Sequence, residues 1–212
     1  MSLAGHARSE HFIPPVPARR AMEKHVRQEL IAFATFAMLA CAIVIASLIA
    51  APGRPGVFGG SLGILMAAIA VKDGRSFIIP DRLTLAAFAL GLANAANEAY
   101  ESVLDNIAIA ALRGVLLALA FYLLRSIYYR LRHRHGIGLG DIKLAAAAGA
   151  WLDWTLIPTA IELAALAALA FYAVSRLLLR RPFEAAAKLP FGLFFAPAIW
   201  VCWLLQAIFF ET

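Results

Sequence analysis

Apolar residues in this chain gather into seven blocks, at about 28–50, 57–71, 82–97, 106–125, 142–152, 155–178 and 190–210. Most are long enough to cross a hydrocarbon core of ~30 Å as helices rising ~1.5 Å per residue. The apolar–polar alternation of a membrane β-barrel is absent. Backbone in lipid must pair internally, so continuous apolar blocks predict helices. The pattern therefore predicts an all-α, polytopic transmembrane helical bundle of about seven segments. The fifth block reaches only ~16 Å and is too short to span alone.

Composition agrees with that reading. The 212 residues are 63% hydrophobic and only 15% charged, and mean hydropathy is +0.80. A soluble domain is nearer a quarter charged, because it must face water on all sides. Cys41 and Cys202, each inside an apolar block, have no metal-ligand spacing, so both read as small buried hydrophobes. The pI of about 9.7 would point to nucleic acid in a soluble chain. Here the charges lie between the apolar blocks and report topology, and no nucleic-acid partner is expected.

Three regions are expected. Residues 1–27, with Pro14, Pro15 and Pro17 followed by Arg19, Arg20, Lys24 and Arg27, read as a disordered basic tail. Met22 is a second credible start. Residues 28–56 hold an extra N-terminal transmembrane helix and its loop, and 57–212 form the main membrane domain. With the N-terminus in the cytoplasm and every block crossing, the tail, 72–82, 126–141 and 179–189 share the cytoplasmic side. Those segments and their flanks carry Lys72, Arg75, Arg82, Arg125, Arg130, Arg132, Arg134, Arg176, Arg180, Arg181 and Lys188. The opposite loops hold Arg54 and the acidic run Glu98, Glu101 and Asp105. This excess of inside Lys and Arg supports both the segmentation and the orientation. Arg113 is the exception, placed to snorkel from the outer end of its block.

The same topology brings Asp73 and Asp141 to one depth at the cytoplasmic membrane face. Two carboxylates at one site suit hydrolysis by activated water. The ionised acid takes a proton from water while the protonated acid polarises the carbonyl. Alone, Asp73 reads equally as a helix cap or a solvated charge. Asp141 follows Gly136, Gly138 and Gly140 and opens an Ala-rich helix, where an acid also serves as an N-cap. The glycines permit close approach of an extended peptide. No Lys-Ser/Thr follows to complete a phosphate-binding loop.

Gly138-Leu139-Gly140-Asp141-Ile142-Lys143-Leu144 resembles the Gly-x-Gly-Asp-x-Lys-Leu motif of prepilin peptidases, GxGD-type membrane aspartic peptidases of type IV pilus and type II secretion systems. Asp73, followed by Pro80-Asp81-Arg82-Leu83-Thr84, is similar to the family's first motif. Leu189-Pro190-Phe191-Gly192 is a third similarity, with Leu193 where relatives commonly have Pro. The resemblance covers about 57–210. It implies an aspartic endopeptidase that removes a short basic leader from prepilin or pseudopilin substrates, typically after Gly, on the cytoplasmic side of the inner membrane. Asp73 and Asp141 would be catalytic. Gly138, Gly140, Lys143, Pro80 and Asp81 would bind substrate or shape the site, with Asp81 capping the helix from Arg82. Membrane lipid is the surrounding partner, and neither cofactor nor metal is expected. Relatives that also methylate the new N-terminus use a cysteine tetrad that this sequence lacks, so peptidase activity without methylation is the expectation.

A second class stays open on the residues alone. A small proton-coupled transporter would use Asp73, Asp141 and Glu162 as relay groups, but it needs acids near the midplane and internal repeats, and no repeat is found. Glu162 is assigned a packing or hydrogen-bonding role. Trp151, Trp154, Trp200 and Trp203 are expected as interface anchors, and His133 and His135 as solvated loop residues.

Overall fold

The computed structural model describes residues 16–97, 102–133, 136–179 and 190–209. Seven helices follow in order: α1 Val16–Ala50, α2 Arg54–Ser76, α3 Asp81–Asn97, α4 Val103–Arg132, α5 Leu139–Trp151, α6 Leu156–Leu179 and α7 Phe191–Phe209. The described residues contain no strand. The chain divides into two compact units within α1, one ending at Leu39 and one beginning at Ala40.

One correction concerns the N-terminus. The helix begins at Val16, inside the stretch expected to be unstructured. Charge argued against burial there, but burial and helicity are separate matters. Ala, Arg, Met, Glu and Lys are good helix formers, and Pro17 falls in the first turn, where proline is tolerated. Residues 1–15 lie outside the described part.

Five helices, α1 from Leu30, α2, α4, α6 to Ser175 and α7, are long and apolar enough to cross a membrane. The expectation that all seven blocks cross is therefore met by length for five among the described residues. α3 and α5, at 17 and 13 residues, reach only ~26 and ~20 Å. α5 tolerates its shortness because it is sheathed by protein, packing on α3, α4 and α7. Its face from Leu144 to Trp151 is almost wholly buried, so its ends need not meet hydrocarbon.

Small residues set these contacts. A Cβ at Gly114 would sit 2.7 Å from the Ala146 carbonyl, and one at Gly149 2.6 Å from that of Arg113. Backbone therefore meets backbone between α4 and α5, the close approach by which helices associate where lipid offers no hydrophobic drive. On α6, Ala160, Ala164 and Ala168 recur every fourth residue as a buried stripe. The opposite face of α6 carries exposed Leu163, Leu166 and Leu169, as a lipid-facing surface requires.

Several sequence expectations change here. Trp151 and Trp203 are core residues, 3% and 2% exposed, and meet edge to face at 6.5 Å. Trp151 Nε1 donates to the Ala87 carbonyl at 2.8 Å and Trp200 Nε1 to Ser47 Oγ at 3.2 Å. Indole N–H groups that find internal acceptors need no interface, and only Trp154 is broadly exposed. Arg113 pairs with Asp153, just past the C-terminal end of α5, and the Asp153 amide donates to Gln206 on α7. Glu162 is exposed on α6 rather than packed. Cys202 is buried as expected, whereas Cys41 is exposed. His133 is exposed, and His135 lies outside the described residues.

Candidate active site

Asp73 stands in the last full turn of α2. The helix stops just beyond it because Phe77 adopts a left-handed conformation (φ 54°) and returns its amide to the Asp73 carbonyl at 2.8 Å. A non-glycine residue there costs roughly 1–2 kcal/mol, and the turn sends the chain through a short irregular segment, 78–80, to α3. Asp73 is 5% exposed. Its Oδ2 accepts the Leu193 amide at 3.0 Å, and the Gly192 amide is also directed at it. These are the second and third residues of α7, whose preceding residue, Pro190, has no side-chain acceptor. Asp73 thus supplies from α2 the oxygen that an N-cap side chain normally gives its own helix.

Asp141 occupies the third position of α5, three residues past the cap position expected for it, which Gly138 takes. Its Oδ2 accepts the Gly138 amide at 3.1 Å, the backward half of a capping box. Both carboxyls therefore lie at helix N-termini, that of Asp73 at the start of α7 and that of Asp141 at the start of α5, where the macrodipole favours negative charge. Burial pushes Asp141 up from 3.8 to about 6, against the opposing Gly138 bond, and the charge of Asp73 adds to the rise. Asp141 thus lies within the field of Asp73.

Ile79 joins the two centres. It is buried, and it packs against both helix starts: a Cβ at Gly140 would lie 2.8 Å from Ile79 Cβ, and one at Gly192 2.7 Å from Ile79 Cδ1. The Gly192 position would also meet Asp73 Oδ2 at 2.9 Å. Gly138 is looser, its Cβ position 3.1 Å from Asp141 Oδ2.

Lys143 does not reach Asp141 in this structure; its Nζ binds Asp81 Oδ1 at 2.6 Å. Asp81 lies inside the first turn of α3 rather than ahead of it, and the Pro80 carbonyl receives the amides of Leu83 and Thr84. The capping role expected for Asp81 thus passes to the Pro80 backbone, and Asp81 and Lys143 form a bridge between α3 and α5. Sequence reasoning missed Gly192, Leu193 and Ile79 as parts of the site. Gly192 was visible as a motif residue without a role, while the other two act through backbone or bulk.

The Type IV leader peptidase family matches residues 60–173, a span holding Asp73, Asp81, Asp141 and Lys143. The chain belongs to that family. It is 32% identical over 163 residues to a prepilin leader peptidase/N-methyltransferase of Escherichia coli (strain K12), covering 74% of this chain and 69% of that protein. Identity to the protein of that name from Burkholderia pseudomallei (strain 1026b) is 32% over 197 residues, 91% of this chain and 62% of the relative. The leader peptidase HopD of Escherichia coli is 35% identical over 128 residues, 59% of this chain and 78% of its own length. The chain spans between 46% and 69% of the relatives named as combined peptidase and methyltransferase. No solved structure matches.

Proposed function

We propose that this membrane protein is an aspartic endopeptidase that cleaves the leader from prepilin-like proteins at the cytoplasmic face. The observation that carries the reading is the convergence of Asp73 and Asp141, each anchored through Oδ2 to amides at a helix start. Anchoring through one oxygen leaves the second oxygen of each carboxyl to act on water or the scissile carbonyl. Asp73, which accepts two α7 amides, is assigned the ionised role. Asp141, which accepts one amide and lies in the field of Asp73, is assigned the protonated role. Asp73 takes a proton from water as its oxygen adds to the carbonyl carbon, while Asp141 donates a hydrogen bond to the carbonyl oxygen. Collapse of the tetrahedral intermediate breaks the C–N bond, and a proton passes from the pair to the leaving amine. Lys72 and Arg75 at the end of α2, Arg82 at the start of α3 and Arg125, Arg130 and Arg132 at the end of α4 support a cytoplasmic site.

The test is cleavage of a co-expressed prepilin by wild type, Asp73→Asn and Asp141→Asn. Wild type is expected to shorten the substrate and both variants to leave it intact. Normal processing by either variant refutes the mechanism.

A further inference from the structure

Arg125 entered the sequence analysis only as a topological charge, yet the fold gives it a specific target. It is half-buried on α4, and its guanidinium donates to the carbonyl oxygen of Ile137. The peptide unit that begins with this carbonyl ends in the Gly138 N–H, which donates to Asp141 Oδ2 at 3.1 Å. One planar amide therefore links a permanent cation to a carboxylate, with the guanidinium on its oxygen and the carboxylate on its hydrogen. A cation on the oxygen draws electron density away from nitrogen and strengthens the N–H as a donor, because hydrogen bonds in a chain polarise one another. The same bond fixes the Gly136–Gly138 segment, whose glycines would otherwise leave it loose.

We propose that Arg125 is a positioning residue for Asp141, acting through the single peptide unit between Ile137 and Gly138. The proposal rests on the peptidase reading only for its catalytic consequence. Arg125 holds the Gly138 amide on Asp141 and tempers the proton affinity that burial raises, keeping that carboxyl able to give up its proton in the later step. The surroundings leave this role to Arg125. From α2 comes Asp73, of like charge; from α3 comes Asp81, already occupied by Lys143 of α5; α7 carries no acidic or basic side chain. Lys72, Arg75 and Arg82 are exposed.

The experiment follows the Asp141 proton with and without catalysis. The full chain in detergent is melted between pH 4 and 9 as wild type, Arg125→Gln and Arg125→Lys, each with and without Asp141→Asn. The difference made by Asp141→Asn isolates its titration. Its midpoint is expected to move upward by about half a pH unit or more in Arg125→Gln, since a bond to the charged form is weakened. In Arg125→Lys it is expected to stay near the wild-type position. Gly138→Pro reads the same link from its other end should Arg125→Gln fail to fold. Gly138 has φ −70° and ψ 153°, which proline accommodates while lacking the N–H, and the same upward movement is expected. A midpoint unmoved in Arg125→Gln, or in Gly138→Pro where that variant replaces it, overturns the proposal. In parallel, the alkaline limb of kcat/KM on a purified prepilin is expected to shift in the same direction as the melting midpoint. A wild type that cleaves no prepilin removes the peptidase reading and leaves the melting arm to decide the link.

Discussion

Replacing Gly192 with alanine tests the site where the geometry is tightest. Residue 192 is the second of α7 and needs no glycine for its dihedrals, so in an ordinary helix Ala would stabilise by about 0.8–1.0 kcal/mol. Here the added Cβ would lie 2.7 Å from Ile79 Cδ1, 2.9 Å from Asp73 Oδ2 and 3.1 Å from Asp73 Cγ. Comfortable carbon contacts are about 3.5–4.0 Å, so both neighbours must retreat by several tenths of an ångström or more. Ile79 is backed by Gly140 and has little room, which puts the displacement on the carboxylate. Moving Oδ2 by about 0.5 Å stretches its 3.0 Å bond to Leu193 to the edge of hydrogen bonding. Losing much of a charged hydrogen bond worth about 1.5–3 kcal/mol more than cancels the helix propensity gained. The expected result is a lower melting temperature and a kcat/KM down at least about tenfold, approaching the 100-fold that ~1 Å of misplacement brings. Gly74→Ala is the control: its Cβ meets only the Leu193 side chain, nearest at 3.2 Å, and near-normal activity is expected. Purified variants would be assayed for prepilin cleavage and melted in parallel. A Gly192→Ala protein that melts higher than wild type and cleaves at its rate would refute the assigned role of Gly192 and the capping geometry behind it.

Four further outcomes are expected. Asp141 holds its proton to about pH 6 rather than 3.8, so the fold is favoured below pH 4 and loses that advantage as pH rises through 6. The loss is on the order of 3 kcal/mol or less and disappears in Asp141→Asn; a variant that melts with the wild-type pH slope would refute the burial argument. The alkaline limb of kcat/KM should fall near pH 6, with that of kcat displaced upward because bound substrate excludes more water; identical limbs would contradict this. The Lys143–Asp81 bridge is exposed at both ends, 47% and 74%, so a double-mutant cycle in melting should return about 1 kcal/mol or less. Trp203→Ala should destabilise by about 3–5 kcal/mol, since the ring fills the space opposite Gly59 and touches Trp151.

How far the sequence reached depended on whether a feature was local. The seven apolar blocks needed only their neighbours to declare themselves helices, and each corresponds to one. Gly138 to Leu144 read correctly as a helix start because its glycines and acid are consecutive, although Asp141 proved to be the third residue rather than the cap. Asp73 was different. Its partners are amides about 120 residues downstream, and an amide leaves no trace in residue identity; Gly192 hinted at close approach without saying to what. Trp151 and Trp203 were misplaced for the related reason that an indole suits either an interface or a core with an acceptor, and the Ala87 carbonyl is not legible as an acceptor in advance. The two readings posed for Asp73, helix cap and catalytic acid, do not exclude one another. A carboxylate that caps α7 from α2 is held by backbone that cannot rotate away, and that constraint is what a water-activating acid needs. The structural role supplies the preorganisation on which the proposed chemistry depends, so substitutions that spare the cap should preserve positioning even where they abolish proton transfer. Asp73→Asn keeps an oxygen for the Leu193 amide, and Asp73→Ala does not. The first should therefore melt near wild type while the second melts lower, with both inactive.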